Sequence, residues 1–248
     1  MDVGVELALL GRPLGWRSEC ASRGGSFVTL PALILSGLDA RAANITSTIA
    51  LFPGQVTTGL VGRRMVSRAE RLSFQALFVI SLAGGAVGAF LLLETPAGFF
   101  SKLVPWLVLI ATAVFAWEAF FGKPTQGVVA LSPFAAGSAQ FLIAIYGGYF
   151  GGGISLLVLA TFAAAGMRVH TAEATKNVLA GVMNASAVAA FAFSRDVYWL
   201  PAFMLGIGAV AGGLLGAWLL RGVNDRALRI GIVTLGIALT AGLFLYSP

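Results

Sequence analysis

The sequence predicts an all-α integral membrane protein: eight to nine apolar helices in two inverted repeats, with glycine-broken helices. Three observations lead there. Apolar stretches follow one another along nearly the whole chain. The charges between them fall unevenly on two sides. Landmarks of the first half return, in order, in the second.

The composition carries the first observation. The 248 residues are 58% hydrophobic and only 10% charged, with a mean hydropathy of +0.91, whereas a soluble domain is about 25% charged. Apolar segments read at about 24–38, 44–62, 72–93, 103–121, 128–149, 150–166, 173–193, 197–220 and 230–247. Each long one can cross a hydrocarbon core of about 30 Å. A secretory signal would account for one such stretch, not for all. The segments at 24–38 and 150–166 are short for full crossings and read as half-helices, or as one arm of a broken helix.

The same composition excludes several classes. A pI near 10.1 would suggest nucleic acid in a soluble protein. Here the basic residues read as topology signals or contacts to anionic lipid, and no nucleic-acid partner is expected. The single cysteine, Cys20, excludes an intrachain disulfide and a multi-cysteine metal site. The single histidine, His170, reads as a solvated loop residue and argues against a metal centre. No nucleophile triad, P-loop or HExxH is present. The chain therefore reads as a non-enzyme without cofactor or metal. The expected partners are membrane lipid and a small anionic substrate, with homo-oligomerisation left open.

Topology follows from the loops. If each segment crosses once, Arg63, Arg64, Arg68, Arg71, Lys123, Arg168, Lys176, Arg221, Arg226 and Arg229 fall on one side. Arg12, Arg17 and Arg23 join them, which makes thirteen basic residues against Arg41, Lys102 and Arg195 on the other side. The positive-inside rule assigns the rich side to the cytoplasm and the C-terminus to the exterior.

The repeat is visible in the letters. Leu82-Ala83-Gly84-Gly85-Ala86-Val87-Gly88-Ala89 aligns with Val210-Ala211-Gly212-Gly213-Leu214-Leu215-Gly216-Ala217 at a shift of 128, and Gly24-Gly25 meets Gly152-Gly153 at the same shift. Combined with the topology, loop 63–71 is cytoplasmic and its partner near Ser194-Arg195-Asp196 is external, so the halves are inverted. Inverted repeats are common in secondary transporters, whose sites lie near mid-membrane where broken helices meet. The chain divides into an atypical N-terminus at 1–23, a first repeat at 24–122 and a second at 123–248.

Two constellations carry candidate chemistry. The first is GGYFGGG at 147–153. Each glycine costs about 1 kcal/mol against alanine inside a helix, and unwound backbone at membrane depth needs protein, water or ligand to satisfy it. Free N–H groups where a helix restarts suit an oxyanion. Gly151, Gly152 and Gly153, leading into the helix from Ile154, and their repeat mates Gly24 and Gly25, are the candidates. The alternative is close helix packing through small residues, which is the preferred reading for Gly84, Gly85, Gly88, Gly212, Gly213 and Gly216. The second constellation follows each glycine element: Asn44, Thr46, Ser47 and Thr48 in one half, Thr175, Lys176 and Asn177 in the other. These residues read either as N-caps of the next helix or as a polar lining of the pathway. Lys176, just inside an apolar segment, either snorkels or attracts an anion. Gln55 and Asn184 stand at matched depth, a shift of 129 apart, suited to an interhelix hydrogen bond or a substrate contact. Glu118 reads as snorkelling.

Gly148-Tyr149-Phe150-Gly151-Gly152-Gly153-Ile154-Ser155 followed by Thr171-Ala172-Glu173-Ala174-Thr175-Lys176-Asn177 resembles the TauE/SafE family of sulfite-exporter-like permeases, also called TSUP. So does Gly24-Gly25-Ser26-Phe27-Val28-Thr29-Leu30-Pro31 followed by Ala43-Asn44-Ile45-Thr46-Ser47. The resemblance covers residues 24 to 247. It implies an inner-membrane permease for sulfur-containing or carboxylate anions of the sulfite and organosulfonate class, driven by an ion gradient rather than ATP. An anion channel and a non-transporting truncated membrane protein are the rival readings. The sequence departs from the pattern at 1–23, which carries three arginines, two glutamates, an aspartate and a proline where the repeat calls for an apolar helix. This break in symmetry reads as a misassigned start or a frameshift that removed the first helix.

Overall fold

The computed structural model describes residues 25–62, 73–121, 132–152, 154–164, 169–219 and 225–246. Among them it contains nine helices and no strand. They are α1 (Gly25–Leu35), α2 (Ala40–Gly62), α3 (Phe74–Glu94), α4 (Ala97–Phe121), α5 (Pro133–Tyr149), α6 (Ile154–Ala164), α7 (Val169–Phe191), α8 (Trp199–Leu219) and α9 (Asp225–Tyr246). The atypical stretch 1–23 lies outside the described residues, as do Gly24 and Gly153.

Length sorts these helices into two kinds. Helices α3 and the Ala97–Trp117 part of α4 are each 21 residues long and apolar enough to cross a membrane; at 1.5 Å per residue each spans about 31 Å. Shorter apolar stretches lie in α8 (Trp199–Ala211) and α9 (Ile230–Leu245). Helices α1 and α6 have 11 residues each, about 16 Å, half of a hydrocarbon core. They stand at the two short apolar segments of the sequence.

The helices follow in corresponding order, α1 with α6, α2 with α7, α3 with α8 and α4 with α9. Packing follows the same exchange: α1 lies on α2 as α6 lies on α7, α3 lies on α7 as α8 lies on α2, and α1 meets α9 as α6 meets α4. At the centre α2 packs on α7, and α4 packs on α9.

The outside of the bundle is oily and the inside is partly polar, the reverse of a soluble protein. Phe78, Val79, Val87, Phe90, Trp106, Ile110, Leu142, Phe203 and Ile207 are exposed. Thr29, Asn44, Thr46, Ser47, Ser81, Thr112, Gln140, Thr175, Lys176, Asn184 and Thr240 are buried. One apolar core joins Leu30, Ile45, Leu92, Phe100, Val104, Phe150 and Phe191. A second joins Leu77, Ala144, Ile154, Val158, Phe162, Leu179 and Met183.

Glycine makes the tightest crossing possible. A Cβ at Gly85 would stand 2.6 Å from the Met183 carbonyl oxygen on α7. A Cβ at Gly88 would strike the Ile145 carbonyl on α5, and one at Gly148 the Gly85 carbonyl. Packing is thus the role of Gly84, Gly85 and Gly88. It is also the role of Gly148, half of the first pair in GGYFGGG. No side chain fits where backbone meets backbone.

Several sequence boundaries move. α4 starts at Ala97, not near 103, so Lys102 lies in a helix and the loop before it shrinks to Thr95-Pro96. His170, read as a loop residue, lies in the first turn of α7. α2 starts at Ala40, and Asp39 caps it: its Oδ1 accepts from the backbone N–H groups of Arg41 (2.9 Å) and Ala42 (3.1 Å), the geometry that orphan first-turn donors call for. Asn44, Thr46, Ser47 and Thr48 therefore lie past the first turn and do not cap. Nor do Thr175, Lys176 and Asn177, which lie well inside α7. These helices start before the first long apolar run of their sequence. A polar first turn costs nothing where it pairs with other chain ends.

Candidate functional site

Residues Phe150, Gly151 and Gly152 separate α5 from α6. The α5 ladder ends when the Phe150 N–H donates to the Tyr146 carbonyl (2.9 Å). Gly151 then takes φ +81°, a left-handed value that costs a side-chain-bearing residue about 1–2 kcal/mol. Gly152 is buried, and a Cβ there would stand 2.6 Å from the Phe150 ring. The second half of GGYFGGG is therefore a true break in the helix, with glycine required once by conformation and once by space.

A cavity of about 30 Å³ opens at this break, enough for roughly two waters. Its lining comes from five helices and the break: Leu30 and Pro31 on α1; Asn44, Ser47, Thr48, Leu51 and Gln55 on α2; Val108 on α4; Asn184 on α7; Leu239 on α9; and Phe150, Gly151 and Gly152. The α2 residues are spaced three, one, three and four apart. That spacing is one face of a helix. The α2 sequence thus carries its own cavity stripe, polar at Asn44, Ser47, Thr48 and Gln55.

Hydrogen bonds fix most of these groups. The Ser47 and Thr29 hydroxyls share a bond of 2.6 Å. The Asn44 amide Nδ2 donates to the Tyr149 carbonyl at 3.1 Å, which ties α2 to the residue just before the break. The Thr48 hydroxyl donates to the Asn44 carbonyl at 2.8 Å. Gln55 Oε1 is buried with no hydrogen-bond partner among the described residues, an acceptor left to a water or a bound molecule. Its counterpart Asn184 is 3% exposed. Among the described residues, no charged side chain lines the cavity. Its polar groups are amides, hydroxyls and main chain.

Of the residues singled out in the sequence, Ser47, Gln55, Gly151, Gly152 and Asn184 come together in this cavity. Thr46 does not line it; its Oγ1 accepts from the Tyr198 N–H at 3.3 Å, at the start of α8. Thr175, Lys176 and Asn177 lie on α7 outside the lining. Lys176 is fully buried, so it does not snorkel to a surface. Thr175 Oγ1 is buried with no hydrogen-bond partner among the described residues. Gly25 begins α1. Sequence reasoning missed the apolar half of the wall: Leu30, Pro31, Leu51, Val108, Phe150 and Leu239. An apolar residue facing a cavity and one facing lipid carry the same letter. Only Leu51, on the α2 stripe, had a periodic signal.

An all-helical protein with an apolar outer surface and a polar cavity at a broken helix has the build of a membrane protein. Comparison with known proteins narrows the class. The family description Sulfite exporter TauE/SafE matches residues 7–243, and the chain belongs to that family. Among curated relatives, a "Probable membrane transporter protein" of Haemophilus influenzae is 24% identical, over 97% of this chain and 96% of its own. A "Probable membrane transporter protein ORF9" of Sinorhizobium sp is 29% identical, over 87% of this chain and 83% of its own. "Probable membrane transporter protein YfcA" of Escherichia coli K12 is 25% identical over 89% and 82%. No solved structure matches. The protein is a membrane transporter of the TauE/SafE family.

Proposed function

We propose that this transporter is a multi-pass secondary permease of the inner membrane. It moves small sulfur-containing or organic anions, of the sulfite and organosulfonate class, by alternating access between two inverted halves at 24–122 and 123–248. The cavity at the α5–α6 break is the observation that carries the reading. It offers amide and hydroxyl groups from Asn44, Ser47 and Asn184, beside the main chain of the break at Gly151 and Gly152. Such donors hold an oxyanion without burying a fixed cation, and a weak site releases what it binds. The exchanged packing of the helices supports the two halves. The family name supports the anion class. The cavity is small and sits among five helices, which favours a carrier over an open anion channel.

Uptake by proteoliposomes tests this, with labelled sulfite and a panel of sulfonates and carboxylates. Gly152→Leu is expected to insert normally and to lose transport, because the new side chain displaces Phe150 into the cavity. Normal uptake by that variant rules out the site. No uptake of any anion by the parent chain rules out the substrate class.

A further inference from the structure

The α2 stripe that lines the cavity does not stop at Asn44. One turn earlier on the same face stands Arg41, whose two terminal nitrogens are both engaged while its Nε is buried with no hydrogen-bond partner among the described residues. One terminal nitrogen, Nη1, donates to the Thr95 carbonyl (2.9 Å) and the Leu93 carbonyl (3.3 Å), at the end of α3. The other, Nη2, lies 2.8 Å from Asp196 Oδ2 in the loop between α7 and α8. Asp196 is held in turn by Ser194, whose hydroxyl donates to Oδ2 at 3.3 Å and accepts from the Asp196 N–H at 3.1 Å. Thr95 Oγ1 accepts from the Tyr149 hydroxyl at 3.3 Å. Tyr149 is the last residue of α5, and its carbonyl is the one Asn44 holds.

One guanidinium thus closes a ring around one end of the cavity: α2, the α3–α4 turn, the α7–α8 loop and the end of the broken helix. We infer that the Arg41–Asp196 pair is a gate over the cavity, shut in this conformation, and that its release opens the site to the face on which the pair stands. The inference rests on the alternating-access reading above. Two features separate a gate from a plain staple. The seam of α3, α5 and α7 is backbone against backbone and cannot part without exposing apolar surface, whereas these contacts are polar and directional. The two side chains are 21% and 28% exposed, so water can take over each bond as it breaks and the contact is cheap to open.

Accessibility of the cavity tests the gate in the full chain. Cys20→Ser removes the native thiol, and Leu51→Cys places a reporter in the lining. A membrane-impermeant maleimide is applied to each face of sealed vesicles. Phe193→Cys, exposed in the α7–α8 loop, marks the gate's face. Labelling of Leu51→Cys from that face is expected to be slow. Arg41→Ala and Asp196→Ala should each speed it about tenfold, the scale of one charged hydrogen bond. The double variant should be no faster than the faster single, because both remove one contact. Lys102→Ala, an exposed charge on α4 outside the ring, should change nothing. Unmoved rates in both single variants, or multiplied rates in the double, overturn the gate. If Arg41→Ala does not insert, Asp196→Asn keeps the volume, loses the charge and carries the same test. Faster labelling in a chain that moves no anion keeps the gate and sinks the transport reading. Normal uptake with unmoved labelling sinks the gate alone.

Discussion

Two glycine-rich regions of this protein meet at Tyr149 and use the same residue for opposite ends. On one side, Gly84, Gly85, Gly88 and Gly148 bring α3 against α5 and α7 until backbone touches backbone. On the other, Gly151 and Gly152 stop a helix and open a cavity. The seam makes the bundle rigid. The break brings main chain to the cavity wall. Glycine density in a membrane sequence therefore names no function by itself; what decides is whether another helix or a void lies beyond the missing side chain.

Substitutions can break this comparison, and their effects should grade by region. The largest loss is expected from Gly88→Leu or Gly148→Leu. Four carbons forced between two backbones exceed the roughly 1–3 kcal/mol of ordinary overpacking. Size-exclusion profiles in detergent should lose the folded peak. Survival of that peak would mean that the α3–α5 crossing can slide. Gly151→Ala comes next. A methyl there meets only the Gly147 carbonyl oxygen at 3.6 Å, so the cost is conformational, about 1–2 kcal/mol for the left-handed backbone. A thermal unfolding midpoint lowered by a few degrees, with the oligomeric profile intact, is the expected result. The smallest change is expected at Gly208 on α8, where a Cβ meets nothing within 4 Å. Gly208→Ala should leave stability unchanged or raise it by up to about 1 kcal/mol through helix propensity. If all three sites respond alike, the distinction between seam and break is wrong.

Much of this was legible in the letters. Mean hydropathy and scarce charge demand helices in a membrane, because lipid leaves main chain no other partner. The half-helices showed as short apolar segments. Gln55 and Asn184 were matched by repeat register, and both reach the cavity. The errors are equally instructive. In the letters Arg41 is only one of three basic residues on the poorer side. Its role appeared when the structure placed Asp196, 155 positions further along, within 2.8 Å. Thr46 looked equivalent to Ser47 beside it, yet one turns to Tyr198 and the other to the cavity, because neighbours on a helix point about 100° apart.

The sequence by itself determined that this chain lives in a membrane, that it is helical, and that its helices weaken near Gly151. Those properties are local: hydropathy, periodicity and the cost of glycine are set by residues within a few positions of one another. Which glycine packs and which one opens, which polar groups meet across the centre, and which apolar residues face a cavity rather than lipid were decided by tertiary structure alone. They depend on what stands across from each residue, and in a bundle of apolar helices nearly every partner offers the same chemistry.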